Sequence, residues 1–135
     1  MRIEFFMTMI PPTVTHQEKQ VTVKNSKPIF YEPTELKAAR AKLQAHLGQH
    51  FQREPEPFTT AIRLITKWCF PITGNHKNGE YKTTRPDTDN LQKLLKDVMT
   101  EVGFWTDDAL VVSEIIEKFW AEKPGIYICI EELIS

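Results

Sequence analysis

The sequence lacks most of the features that announce a class on their own. It has only two cysteines in 135 residues, Cys69 and Cys129. They cannot build a disulfide framework and read as small hydrophobes inside strands. No apolar stretch approaches the ~18 residues of a membrane span. The N-terminal run MRIEFFMTMIPP carries Glu4 among its apolar residues, which excludes a signal peptide and makes the cytoplasm the expected location. There is no excess charge of one sign: 17 Lys and Arg stand against 18 Asp and Glu, a net charge of −1. Taken whole, that balance speaks against a nucleic-acid binder. No internal repeat or low-complexity tract is visible.

What remains is an ordinary globular composition. Hydrophobic residues make up 41% and charged residues 26%, which excludes disorder. The length suits one domain spanning residues 1–135, able to bury roughly two-thirds of its unfolded surface.

The charge is unevenly spread. Residues 1–62 hold eight basic and six acidic side chains, residues 63–96 seven and three, and residues 97–135 two and nine. A basic middle and an acidic tail therefore hide inside a near-zero sum.

Alternation over residues 2–10 predicts a strand with Ile3, Phe5, Met7 and Met9 on one face, closed by Pro11-Pro12. Residues 21–23 and 28–31 flank a turn at Asn25-Ser26 and predict a hairpin. Thr34 is the expected N-cap of a helix running to about residue 53, with a stripe of Leu36, Ala39, Leu43, Leu47 and Phe51. Phe58 to Phe70 predicts a second long strand, followed by a polar loop over residues 74–79. After Pro86, Leu91, Leu94, Leu95, Val98, Met99 and Val102 recur at helical spacing, with Gly103 as the natural C-cap. Leu110 to Ala121 and Gly125 to Leu133 predict two closing strands. The order implies an α+β fold, a mixed sheet with two main helices packed on it.

The densest chemistry is Arg85-Pro-Asp87-Thr-Asp89-Asn90-Leu-Gln-Lys93, at the start of the second helix. Asp and Asn at a helix start are commonplace, because the dipole and the free N–H groups favour them. Asp89 and Lys93, four residues apart and about 5–6 Å from each other, could equally form a surface ion pair. A second acidic pair, Asp107-Asp108, stands where the chain leaves that helix for a strand; loop solubility is its ordinary reading. If that strand runs beside the helix start, Asp87, Asp89 and Asp108 converge. Three carboxylates without a matching cluster of His or Cys favour a hard cation such as Mg²⁺ or Mn²⁺. Such a site suits phosphodiester hydrolysis, with Lys93 as a fixed positive charge beside it.

The runs Asp87-Thr-Asp89-Asn-Leu-Gln-Lys93 and Gly103-Phe-Trp105-Thr-Asp107-Asp108-Ala-Leu-Val-Val112 together resemble the RusA family of Holliday junction resolvases. That family carries D-x-D-N-L-x-K at a helix start and G-x-x-x-D-D-x-x-V-V entering a strand. The strong match covers residues 85–118, and the layout of strands and helices fits nearly the whole chain. The resemblance implies a homodimeric endonuclease that uses Mg²⁺, with Mn²⁺ as a substitute, and nicks four-way junction DNA symmetrically. It implies Asp87, Asp89 and Asp108 as metal ligands and Lys93 as the catalytic lysine. Asn90 and Asp107 fit as supporting residues. Lys67, Lys77, Lys82 and Arg85 are the candidate contacts to DNA phosphates.

Other readings are weighed against this one. An EF-hand is excluded: counting from Asp87, position six is Gln92 and position twelve is Val98, where glycine and glutamate are needed. His46 and His50 have the spacing of two zinc ligands, but Glu does not follow His46 as in H-E-x-x-H. His16, just after Pro11-Pro12, is expected in a loop, from which it could reach a junction backbone. Trp68, Trp105 and Trp120 read mainly as core, with Trp105 the one that could wedge into a junction. A nuclease for broader branched or flap DNA, a junction-binding protein without catalysis, and a structural domain whose carboxylates are helix caps are the rival functions.

Overall fold

A ten-residue strand, β4 (Ile62–Pro71), forms the spine of the domain, and its side chains alternate strictly between two environments. Ile62, Leu64, Thr66, Trp68 and Phe70 are buried, whereas Lys67 is exposed. That period of two assigns one face to the core and leaves the other open. The computed structural model describes residues 1–14, 20–24, 27–31, 33–51 and 56–133.

The remaining elements are β1 (Arg2–Thr8), β2 (Gln20–Lys24), β3 (Lys27–Tyr31), α1 (Thr34–His50), α2 (Thr88–Val102), β5 (Val111–Ala121) and β6 (Gly125–Glu132). Four strands make one mixed sheet in the order β1-β6-β4-β5, and β2 pairs with β3 as a separate hairpin. β4 and β5 are parallel, while β6 is antiparallel to both β1 and β4. A parallel pair needs a crossover, and α2 supplies it. The expected α+β architecture is thus the observed one.

Both helices press onto the buried face. α2 contributes Leu91, Leu94, Leu95, Val98 and Met99, all inaccessible, and α1 contributes Leu36, Leu43 and Leu47. Removing one such leucine to alanine costs about 2–5 kcal/mol in a packed core. Gln44 and Arg40 reach across from α1 to Glu101 of α2, at 2.7 and 3.4 Å. Gly103 closes α2 in the left-handed region, φ 108°, donating its N–H to Met99 O as expected. Gly125 has a different reason: a Cβ there would collide with the Phe6 ring and the Met7 carbonyl.

Several boundaries differ from the sequence expectations. Pro33, not Thr34, caps α1, and its carbonyl takes the N–H groups of Leu36 and Lys37. α1 ends at His50, with Phe51 extended. The long strand begins at Ile62; Phe58 instead makes a single parallel bridge to Trp105. Before β5 the chain makes a short 3-10 turn, Asp108–Leu110, because the Asp107 carboxylate accepts the Ala109 N–H at 2.9 Å. The expected turn at Asn25-Ser26 and the loop residue His16 lie outside the described residues. Cys69 and Cys129 are free thiols in strands. Among the described residues no helix is long and apolar enough to cross a membrane.

Candidate active site

α2 runs antiparallel to β5 and packs along it, because one helix connects two adjacent parallel strands: Lys118, late in β5, holds Pro86 just before α2, and Lys96 farther along α2 reaches Glu114 near the start of β5. Between helix and strand is an open cleft of about 430 Å³. α2 lines it with Asp89, Gln92, Lys93, Lys96 and Asp97, the turn before β5 with Asp108, and β5 with Glu114 and Ile116. A larger hollow of about 540 Å³ lies between β1 and the end of α1, where His50 stacks on Phe5 at 4.6 Å. Its walls carry Glu4 and Glu56 beside the aromatic rings, but Glu4 is paired with Arg2, and none of the four expected catalytic residues lines it. His50 of the His46–His50 pair is thus taken up in ring stacking.

Three of the four expected catalytic residues, Asp89, Lys93 and Asp108, therefore share one cleft. Asp87 is the N-cap residue of α2, exposed and outside the cleft walls, and its carboxylate makes no capping hydrogen bond. The expected convergence of all three carboxylates is not realised as a ready-made cage: among the described residues no three His, Cys, Asp or Glu side chains gather as metal ligands do. Like charges held that close repel unless something opposes them.

Two ordinary readings of these residues also lapse. The Asp87 side chain is not a helix cap. Asp89 and Lys93 do not form an ion pair; the lysine of α2 that does so is Lys96, which reaches Glu114 at 2.5 Å. Two carboxylates without counterions, in a cleft lined by neither imidazole nor thiolate, are a donor set that suits a hard divalent cation.

The supporting residues fall into place differently. Asp107 caps the turn that presents Asp108. Asn90 is buried at the first turn of α2, 8% exposed. Gln92 is buried more deeply and accepts a hydrogen bond from Thr66 Oγ1 at 2.8 Å. Only its place in the motif drew notice to it, since a glutamine beside a leucine stripe gives no sign of being buried.

The four basic candidates do not form one surface. Lys67 projects from the helix-free face, on the side opposite Ile116 and Glu114, its ammonium 5.7 Å from the centre of the Tyr127 ring. Lys77 and Arg85 are exposed. Lys82 turns inward. Its ammonium donates to Thr84 Oγ1 and to Arg85 O, and lies 4.5 Å from the centre of the Trp120 ring. Burial first, and the neighbouring Lys118 charge second, hold it below the usual lysine pKa. Lys118 of β5 donates to Thr84 O and Pro86 O, both at 2.7 Å. Two lysines thus fasten the segment that delivers Asp87. Lys118 was invisible in the sequence because it is one position in an alternating strand.

The tryptophans are structural. Trp105 is 2% exposed and donates to Thr100 Oγ1 at 2.7 Å, which removes it as a junction wedge. Its indole N–H finds a partner inside, as buried indoles do. Trp68 donates to Thr66 Oγ1, and Trp120 is covered by the stacked His76 ring at 4.3 Å.

The family model for the endodeoxyribonuclease RusA matches residues 9–131. The chain belongs to the RusA family. Among its relatives, a crossover junction endodeoxyribonuclease rusA of Lactococcus phage r1t is 29% identical over 133 residues, 98% of this chain and all of the relative. An uncharacterized protein of Bacillus subtilis, YqaN, is 26% identical over 124 residues, covering 83% of this chain and 84% of its own. The crossover junction endodeoxyribonuclease RusA of Escherichia coli shares a shorter, stronger stretch: 49% identity over 41 residues, 30% of this chain and 34% of the relative. This RusA-family chain is therefore an endodeoxyribonuclease by descent, and the cleft between α2 and β5 is its candidate active site.

Proposed function

We propose that this chain resolves Holliday junctions, in DNA recombination and repair, by cutting two strands symmetrically as a cytoplasmic homodimer that depends on Mg²⁺ or Mn²⁺. The observation that supports it most is the cleft in which Asp89, Lys93 and Asp108 stand together with no partners of their own, in a chain of the RusA family. Asp89 and Asp108 would hold the cation, with Asp87 joining from the N-cap of α2. When bound, the cation supplies a polarised phosphoryl oxygen and a water acidic enough to attack. Lys93 supplies a fixed positive charge for the phosphate as negative charge builds on its oxygens. Asp107 keeps Asp108 in place through its turn. Lys77 and Arg85 are exposed basic residues on the segment leading to Asp87, and with Lys67 they are the candidate groups to meet DNA backbone. Lys82 is committed to the Thr84–Arg85 segment and acts there.

Two nicks across one junction require two sites related by a twofold axis, hence two copies. The test is cleavage of a synthetic mobile four-way junction with Mg²⁺ and with chelator. Paired symmetric nicks that chelator abolishes are expected. Cutting confined to flaps would favour the broader branched-DNA nuclease, and tight binding without cutting the non-catalytic binder. A chain that sediments as a monomer at micromolar concentration would count against coordinated resolution.

A further inference from the structure

Gln92 carries an unexplained polar atom. The residue is 1% exposed, and its Nε2 is the buried side-chain nitrogen without a hydrogen-bond partner among the described residues. The orientation of its amide follows from its neighbours. The Trp68 indole N–H can only donate, and it donates to Thr66 Oγ1 at 3.1 Å. The Thr66 hydroxyl accepts there and donates its own hydrogen to Gln92 Oε1 at 2.8 Å. All of this is buried: Trp68 and Thr66 are both fully inaccessible. The chain of donors fixes Oε1 toward β4 and turns Nε2, with two hydrogens, away from it.

Buried donors without partners are rare in folded proteins, because burial removes water that nothing replaces. This one belongs to a residue of the cleft wall, beside Asp89 and Asp108. An N–H donor does not bind a cation, and here its natural acceptor is a carboxylate. Asp89 is three residues earlier on the same helix, the spacing at which Gln and Asp side chains meet. Building on the nuclease reading above, we infer that Gln92 is a positioning residue: through Nε2 it orients the Asp89 carboxylate, and the Trp68–Thr66 relay holds the amide ready to do so. Carboxylates that bind metals are commonly held this way, and losing the hydrogen bond costs about 10–100-fold in affinity or activity.

The test is Gln92→Met in the full chain, with Gln92→Leu as a second apolar variant should methionine pack badly. Mn²⁺ binding to the DNA-free protein is measured by electron paramagnetic resonance, alongside thermal unfolding of the metal-free protein and junction cleavage. Mn²⁺ affinity should fall about 10-fold or more. kcat should fall with it while KM for the junction holds, and the unfolding midpoint should move little, because the unsatisfied Gln92 donor goes while the buried Thr66 hydroxyl loses its acceptor. In an Asp89→Asn background the same change should cost no further Mn²⁺ affinity. Thr66→Val, which frees the amide to turn, should lose part of the affinity. Wild-type Mn²⁺ affinity in Gln92→Met, or an equal loss with and without Asp89, overturns the inference while leaving the nuclease reading intact. A wild-type chain that neither binds Mn²⁺ nor cuts junctions removes the nuclease reading and this inference together.

Discussion

The paired charges on the helix-free face of the four-stranded sheet and the open charges of the cleft on its other side behave differently. On the helix-free face, Arg2 pairs with Glu4 and Glu131, Arg63 reaches Glu131, and Tyr127 donates to Glu4 at 2.6 Å. These groups satisfy one another across neighbouring strands and lie in water, where such pairs add little. At the helix-covered edge, Asp89, Lys93 and Asp108 line one cleft and are left unpaired. Surface charges that are closed among themselves need no further partner, whereas charges brought together and left open are available to one. The contrast separates scaffold from site more sharply than net charge does, because the whole chain sums to −1.

Substitutions can break the contrast from the open side first. Asp89→Asn should lower junction cleavage on the order of 10³-fold or more while junction binding survives, since a metal-binding carboxylate is lost and the basic residues are not. Single-turnover cleavage beside a gel-shift titration reads both; cutting at the wild-type rate would refute the assignment of the cleft. Lys93→Met should cost roughly 10²-fold in kcat, with partial recovery in Lys93→Arg, because the transition state loses a charge rather than a ligand. Lys118→Met, which releases the carbonyls of Thr84 and Pro86, should cost about 10-fold in kcat through misplacement of Asp87. Hydrogen exchange over residues 83–91 should quicken in that variant, and unchanged exchange would mean the lysine fastens nothing.

The smallest effect belongs to the closed face. The Tyr127 hydroxyl first, and the Arg2 charge second, hold the Glu4 carboxyl below the usual carboxylate range. A depressed carboxylate pKa adds stability above the unfolded value and loses it as pH falls through the folded one. Glu4→Gln should therefore flatten the acid limb of a stability-versus-pH curve slightly and leave cleavage untouched. Any loss of cleavage in Glu4→Gln would show that the two faces are coupled.

Much of the fold was legible because one-dimensional periodicity survives into three dimensions. The α2 stripe from Leu91 to Met99 is buried residue for residue, and Gly103 ends the helix as its freedom at positive φ requires. β1, β5 and β6 sit within a residue or two of their expected positions. Misreadings came where a local signal competed with a longer-range partner. Thr34 looks like a cap, yet Pro33 lends its carbonyl to the first free N–H groups. Phe58 looks like strand, but it docks against Trp105 instead. Trp105, next to two aspartates, looks able to wedge into a junction, but its indole reaches Thr100 and stays inside.

The sequence by itself determined most of the elements, the family and the candidate residues of the site, since spacing along one helix and one turn is enough to write D-x-D-N-L-x-K and the acidic pair that follows. Only the tertiary structure decided which of those residues meet. A parallel β4–α2–β5 crossover puts Asp108 and Asp89 on the walls of one cleft, leaves Asp87 at the helix tip, puts Lys67 on the opposite face, and ties Lys82 and Lys118 to the segment before Asp87. Those distances depend on strand order and on which side of a pleat a side chain leaves, and neither is written in local spacing.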